Sequence, residues 1–498
     1  MHILVFGADG MLGKYICTYL RTKDHVVQKM TRENFDFFVE SRSGTFLETL
    51  RFILSSIRPE YVINCSGITN KRNVSVSEMY FVNSYFPIQL AHFCNELNIG
   101  LIHATTDCVF SGKKGNYSKK DYPDACDDYG LSKHLGEMLP FTENSKLTVL
   151  RTSIVGEEIK PKGGLLSWFL SHKSGDKIKG YTNHLWNGIT CLEYAKIVNK
   201  IISEKGWNGI FSIRSSYRGS SSMSKYELLL VFNQVYQLNL EVDPTQAENS
   251  IDRTLNADFI TKDIVEQVKE QQLFSVYLQP NIFNLPCKFA LTDPELVLIT
   301  SAIYPRSNTL YTPEERFNMT LKTIQSCRKN LPQAKIALVE ASRISNEMIL
   351  TLSKLCDYVI LAGQDDNLQQ AQSFGINLGE TSLTKMFFEH LTDDVKMVYK
   401  ISGRYYLTDS FDLKKIDLEK FNFLSADRCV HTTFYALGGT TNIKMFPEIL
   451  GQIEQYILHT CNDIEHGLWT FVDHNKINWL EKLHCQGRYS SCDKFYEA

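Results

Sequence analysis

Tyr129 and Lys133 stand four residues apart in the stretch DDYGLSKHLGE, residues 127–137. If that stretch is helical, both side chains project from one face, because positions i and i+4 are neighbours on a helix surface. A lysine ammonium beside a phenol favours the phenolate and brings the pair within range of acid–base work near neutrality. Tyr-x-x-x-Lys also occurs by chance in long chains, so its surroundings decide its meaning. Gly7, Gly10 and Gly13 form a second constellation in HILVFGADGMLGKYI, between the first apolar run and a helical pattern. Glycines at such a strand-to-helix turn let the backbone approach a pyrophosphate seated on the helix N-terminus.

The elements that would position these residues alternate regularly. HILVFG, HVVQKM, YVINCSG, GLIHATT and LTVLRTSIVG read as strands, and helical patterns lie between them. This repetition predicts an α/β fold, a Rossmann domain with a doubly wound, mostly parallel sheet. From about 275 to 292 the pattern lapses in SVYLQPNIFNLPCKFALTDPE, which reads as a linker carrying three prolines. Alternation resumes with LVLITSAI, a helix opening at Thr312 and Pro313, and the strands AKIALVEAS, DYVILAG and KMVYKIS. The expected organisation is therefore two α/β domains, residues 1–280 and 290–498.

The chain has 498 residues, too many for one ordinary core. It is 43% hydrophobic with a formal net charge of −3, which argues against a nucleic-acid partner. No apolar run is long enough to span a bilayer, and the first residues lack the pattern of a secretion signal. The thirteen cysteines include no C-x-x-C pair, so no metal is expected and a reducing cytoplasm suits the thiols. After the second strand, Lys29 and Arg32 stand where an acidic residue would select NAD, which favours the 2′-phosphate of NADPH over NADH.

Taken together, FGADGMLGKYI, RPEYVINCSGIT, VNSYFPIQLA, ATTDCVFSGKKGNYSKKDYPDACDDYGLSKHLGE and VLRTSIVG resemble the extended short-chain dehydrogenases. They are most similar to dTDP-4-dehydrorhamnose reductase and its relatives, over roughly residues 1–275. The resemblance implies that Tyr129 donates a proton. It implies that Lys133 binds the nicotinamide ribose and holds the tyrosine pKa down, with Thr106 as the catalytic Ser/Thr. It further implies cofactor contacts from Gly7, Gly10, Met11, Leu12, Gly13, Arg32, Cys65, Ser66 and Gly67. The implied reaction is reduction of the C4 ketone of a dTDP- or UDP-linked 4-keto-6-deoxysugar, as in L-rhamnose biosynthesis. The resemblance leaves homodimerisation open.

Cys108 stands where many members have tyrosine. Related epimerase–reductases use a cysteine near this place together with a second acid–base, but the aligned segment here offers Trp168, with His172 and Lys173 out of register. Cys108 is read as a substrate-pocket residue, beside Trp186 and Asn187 in HLWNGIT. A bifunctional 3,5-epimerase/4-reductase and a non-catalytic NADP-binding regulatory protein remain the alternatives.

The second domain resembles GT-A glycosyltransferases only in its β/α order. It has no Asp-x-Asp after KMVYKIS; Arg404 follows instead, as a cation for phosphate. Asp463 or Glu465 would serve as base toward a glycan acceptor. Asp427 and Arg428 form another polar cluster, and Asp365 with Asp366 reads as a solvated turn.

Overall fold

The structure, a computed structural model, describes all residues except 24, 70–73, 159–162, 280, 286–288, 306–309, 364, 427–428, 483, 489–494 and 498. Asp427 and Arg428 lie outside the described residues. The chain divides into two compact units, Met1–Leu278 and Gln279–Ala498.

The first unit is built on seven parallel strands: β1 (His2–Phe6), β2 (Val26–Met30), β3 (Tyr61–Asn64), β4 (Gly100–Thr105), β5 (Leu147–Arg151), β6 (Gly209–Ser216) and β7 (Phe259–Asp263). Their order is β7-β6-β5-β4-β3-β1-β2. Side chains of β1 alternate between the two faces. Ile3 and Val5 pack with Tyr15, Ile16 and Leu20 of the Met11–Arg21 helix and with Val198 of the Cys191–Ser203 helix. Leu4 and Phe6 pack on the other face with Leu50, Leu54, Phe86 and Leu90. The apolar spacing of the first helix, Leu12, Tyr15, Ile16 and Leu20, is what seats it on the sheet. The segment read as one strand, LTVLRTSIVG, is interrupted: β5 ends at Arg151, and Ile154–Val155 pairs separately with Ile189–Thr190.

The second unit contains a nine-stranded mixed sheet: β8 (Ile282–Asn284), β9 (Glu295–Ser301), β10 (Lys335–Glu340), β11 (Tyr358–Leu361), β12 (Met397–Ser402), β13 (Phe421–Ala426), β14 (Cys429–Val430), β15 (Phe434–Gly438) and β16 (Ile477–Leu480). Strands β8, β11, β10, β9 and β12 run parallel in that order, and β15 and β13 continue it antiparallel. The expected linker is corrected here. Ile282–Asn284 pairs with Val359–Leu361 as a sheet edge, a place that tolerates neighbouring prolines. Thr312 and Glu315 form a capping box at the start of the Pro313–Asn330 helix, and Asp365 caps the helix Asp366–Phe374. Among the described residues no helix is long and apolar enough to cross a membrane.

Candidate active site

In the first sheet the strand order reverses between β1 and β3, and open α/β sheets bind ligands at the carboxyl ends flanking such a switch point. Gly7 follows β1 with φ 71°. A Cβ there would lie 2.8 Å from Ser66 N, so only glycine fits against the end of β3. A Cβ on Gly13 would come within 2.2 Å of Gly7 O. Gly10 caps the Met11–Arg21 helix and donates its N–H to Gly7 O at 3.0 Å. The result is a tight cradle at a helix N-terminus, with Met11 and Leu12 in its first turn.

Cys65, Ser66 and Gly67 form the facing wall. Cys65 N donates to Phe6 O at 3.0 Å and Ser66 N to Asn64 Oδ1 at 3.0 Å. The Ser66 hydroxyl is buried with no hydrogen-bond partner in the structure. An orphaned hydroxyl beside a glycine cradle fits a bound dinucleotide, with Gly7, Gly10, Gly13 and Ser66 placed to hold its phosphates and backbone. At the edge, Arg32 lies exposed, its Nε on Asp36 Oδ2 at 2.8 Å and its guanidinium over the Phe38 ring. Burial and the nearby Lys29 lower the pKa of Lys14, so these two lysines stand close to one another beside the glycine turn's Asp9. Lys14 was not singled out from the sequence.

Tyr129 and Lys133 do lie on one short helix, Asp128–Leu135, capped by Asp127, whose side chain accepts from Gly130 N at 2.7 Å. Lys133 is 6% exposed; its Nζ donates to Ala104 O at 3.2 Å and lies 3.1 Å from where a Cβ on Gly67 would be. Burial lowers its pKa to about 8, against the opposing influence of Glu137 and Cys65. The Thr106 hydroxyl lies near enough to the Tyr129 phenol to act on it. Thr106 is buried at the end of β4, where its hydroxyl accepts from Cys108 N at 3.1 Å and donates to Asp107 Oδ1 at 3.0 Å. Burial, then Cys108, push the phenol above its usual range, while the Thr106 hydroxyl pulls it down. The expectation of a depressed phenol pKa is corrected: the Lys133 ammonium is directed at Ala104 O, and burial leaves the phenol raised. A protonated phenol is the form that can donate to a developing alkoxide.

Two features fix the helix that carries Tyr129 and Lys133. Asn83, in a π-helical turn over Phe81–Tyr85, accepts from Ile68 N at 2.8 Å and donates to Ser132 Oγ at 3.0 Å. Just beyond the helix, buried Glu137 receives a bidentate grip from Arg151, Nε at 3.1 Å and Nη2 at 2.6 Å. Burial pushes Glu137 up, but the nearby His134 ring and the Arg151 hydrogen bonds hold it below the usual carboxylate range.

The remaining first-unit candidates separate. Cys108 contacts Arg253 Nη1 at 3.7 Å, and burial with Asp107 pushes its thiol up to about 12. Lys225, whose pKa burial lowers to about 8, feels Asp107 and Cys108 and sits 5.1 Å from the Trp186 ring centroid. It lines a cleft of about 700 Å³ together with Trp168, Tyr181 and His184. Neither Arg253 nor Lys225 was found by sequence reasoning. Trp186 is buried, its indole N–H on Ser153 Oγ at 2.8 Å. Asn187 is corrected from substrate contact to structural tie. Its amide donates to Ser221 O and Leu255 O and accepts from Leu255 N at 3.0 Å.

In the second unit Arg404 lines a cleft with Glu380; Asp463 and Glu465 are not part of its lining, although Glu380 acts on Glu465. Asp463 caps the Ile464–Phe471 helix, accepting from His466 N at 2.9 Å and meeting the His466 ring. Glu465 accepts from Thr432 Oγ1, and burial raises its pKa.

Residues 1–179 match the RmlD substrate binding domain. The N-terminal region is thus dTDP-4-dehydrorhamnose reductase-like. A probable low-salt glycan biosynthesis reductase of Haloferax volcanii is 32% identical over 163 residues, 31% of this chain and 54% of that protein. A dTDP-4-keto-6-deoxy-D-glucose reductase of Streptomyces niveus is 30% identical across 27% of this chain and 45% of its own length. The chain spans about half the length of the curated relatives it matches. A solved dTDP-4-dehydrorhamnose reductase of Bacillus anthracis, in complex with NADP, is 17% identical with a TM-score of 0.47, covering 55% of this chain and 99% of that one.

Proposed function

We propose that the first unit reduces the C4 ketone of a nucleotide-linked 4-keto-6-deoxysugar, with NADPH as its cofactor. The observation that carries this reading is the convergence of Thr106, Tyr129 and Lys133 beside the glycine cradle. NADPH, when bound, supplies the hydride. Lys133 binds and orients the nicotinamide ribose from its seat against Gly67. Tyr129 holds the proton on its phenol oxygen and delivers it to the alkoxide oxygen, and Thr106 fixes the direction of that phenol. Asn83 and the Glu137–Arg151 pair keep the helix carrying both groups in register. Lys29 and Arg32 put positive charge where a 2′-phosphate would lie. Free thiols at Cys17, Cys94 and Cys191 suit work in a reducing cytoplasm.

Epimerisation would ask Cys108 to release a proton near neutrality, and its raised pKa weighs against that. For sugar transfer to a glycan by the second unit, the two bases expected, Asp463 and Glu465, are engaged by His466 and Thr432, which weighs against that role. The test is NADPH oxidation with a panel of nucleotide 4-keto-6-deoxysugars, with product identification. Tyr129→Phe should lower turnover by on the order of 10²- to 10⁴-fold while NADPH still binds. Equal turnover in variant and wild type would overturn the assignment.

A further inference from the structure

The second sheet has its own switch point. From β9 the chain proceeds to β10 and β11 on one side, and β12 then joins on the other. At the carboxyl ends of β9 and β12, where such sheets receive ligands, lies a cleft of about 500 Å³. That volume falls in the range of small-molecule sites. Ser301, Ser342 and Ser402 contribute hydroxyl-bearing residues to its lining.

Two guanidinium groups reach the same cleft. Arg316, from the Pro313–Asn330 helix, is 4% exposed and donates Nε to Ala302 O at 2.7 Å. Arg404 follows β12, and its Nε is buried with no hydrogen-bond partner in the structure. The two cations act against each other: burial and then Arg404 push Arg316 down to about 10, with Glu340 opposing. The acids nearby only partly offset this charge: Glu340, whose Oε2 is buried without a partner, acts on Arg316, and Arg404 together with Lys400 helps hold Glu380 charged. Glu380 pairs with Lys400, which also donates to Ser402 Oγ at 3.0 Å and Thr432 O at 2.9 Å. Glu340 accepts from Ile303 N at 3.0 Å and Ser342 N at 2.9 Å, and burial pushes its carboxyl up, toward the neutral form.

We propose that this cleft binds a diphosphate-bearing metabolite, a nucleoside diphosphate or its sugar ester, with Arg316 and Arg404 on the phosphate oxygens. Planar guanidinium forks match phosphate oxygens two at a time, and a dianion relieves the repulsion between the two arginines. Arg316 and Arg404 line the cleft directly, and Lys400 stands behind them on Glu380 and Ser402. The site lies wholly within the second unit and is independent of the reductase reading.

The test is calorimetric titration of the full chain, saturated with NADP⁺, using UDP, dTDP, GDP and inorganic pyrophosphate as separate probes. Arg404→Gln should weaken one binding event by on the order of 10- to 100-fold, as expected for loss of a charge-assisted contact, and Arg404→Lys should fall between. Ketone-dependent NADPH oxidation should be unchanged in both variants, which also reports that the protein is folded. Nucleotides binding more tightly than pyrophosphate would place the base in the cleft; equal affinities would make free diphosphate the ligand. Identical titrations in wild type and Arg404→Gln for every probe, or no binding by any, would overturn the proposal. Residue-404-dependent binding without any ketone reduction would leave this site standing and remove the reductase reading instead.

Discussion

Replacing Lys133 with methionine should make the protein inactive and, near neutrality, more stable. The buried ammonium has its pKa lowered from the ordinary 10.5 to about 8, chiefly by burial. That difference corresponds to about 3 kcal/mol of destabilisation of the folded state by the charged lysine. Methionine keeps most of the stem volume and removes the charge, but it forfeits the hydrogen bond to Ala104 O, worth about 1 kcal/mol. The net gain is about 2 kcal/mol. Because the folded pKa lies below the unfolded one, the cost is fully present below pH 8 and vanishes as pH rises to 10.5. The stability gap between variant and wild type should therefore close across that window. Urea unfolding of the full chain, followed by circular dichroism at several pH values, measures the gap, and NADPH oxidation measures the function. A variant no more stable than wild type at neutrality, or a gap that ignores pH, would refute the argument that this lysine is held at a cost for the cofactor.

Two further substitutions probe the edges of the site. Arg32→Ala should weaken NADPH binding by about 1 kcal/mol, a small effect because the guanidinium is exposed, while leaving NADH unchanged; equal losses for both cofactors would show that Arg32 does not read the 2′-phosphate. Asn187→Ala should cost roughly 2–3 kcal/mol of stability by stripping partners from Ser221 O, Leu255 O and Leu255 N. A variant that unfolds at the same urea concentration but has lost kcat/KM would return Asn187 to the substrate.

What was legible in the sequence was mostly local. The shared face of Tyr129 and Lys133 is a property of eight consecutive residues, Asp128–Leu135, and needs nothing distant to be seen. The glycine turn and the strand alternation are equally short-range, which is why five strands of the first sheet could be read, while Gly209–Ser216 and Phe259–Asp263 went unread. Arg253 reaches Cys108 from 145 positions along the chain, and no local periodicity encodes that approach. Asn187 misled because an amide in an apolar stretch looks the same whether its partner is a ligand or a distant backbone. Prolines flanking Ile282–Asn284 signalled a break, and the short strand between them escaped because an edge needs partners on one side only. Arg404 could be flagged from sequence as an oddity, but its pairing with Arg316 required the fold.

The grip of Arg151 on Glu137 also constrains how this chain can evolve. Removing either partner alone would strand a charge in the interior at a cost of about 3–5 kcal/mol, a large share of a domain's stability. Single substitutions at either position therefore lead into a fitness valley. Divergent descendants should keep both residues or exchange both, so that the two columns covary across lineages although they lie 14 positions apart in sequence. Through that coupling, a lineage's history at position 151 limits which helices can carry its tyrosine and lysine.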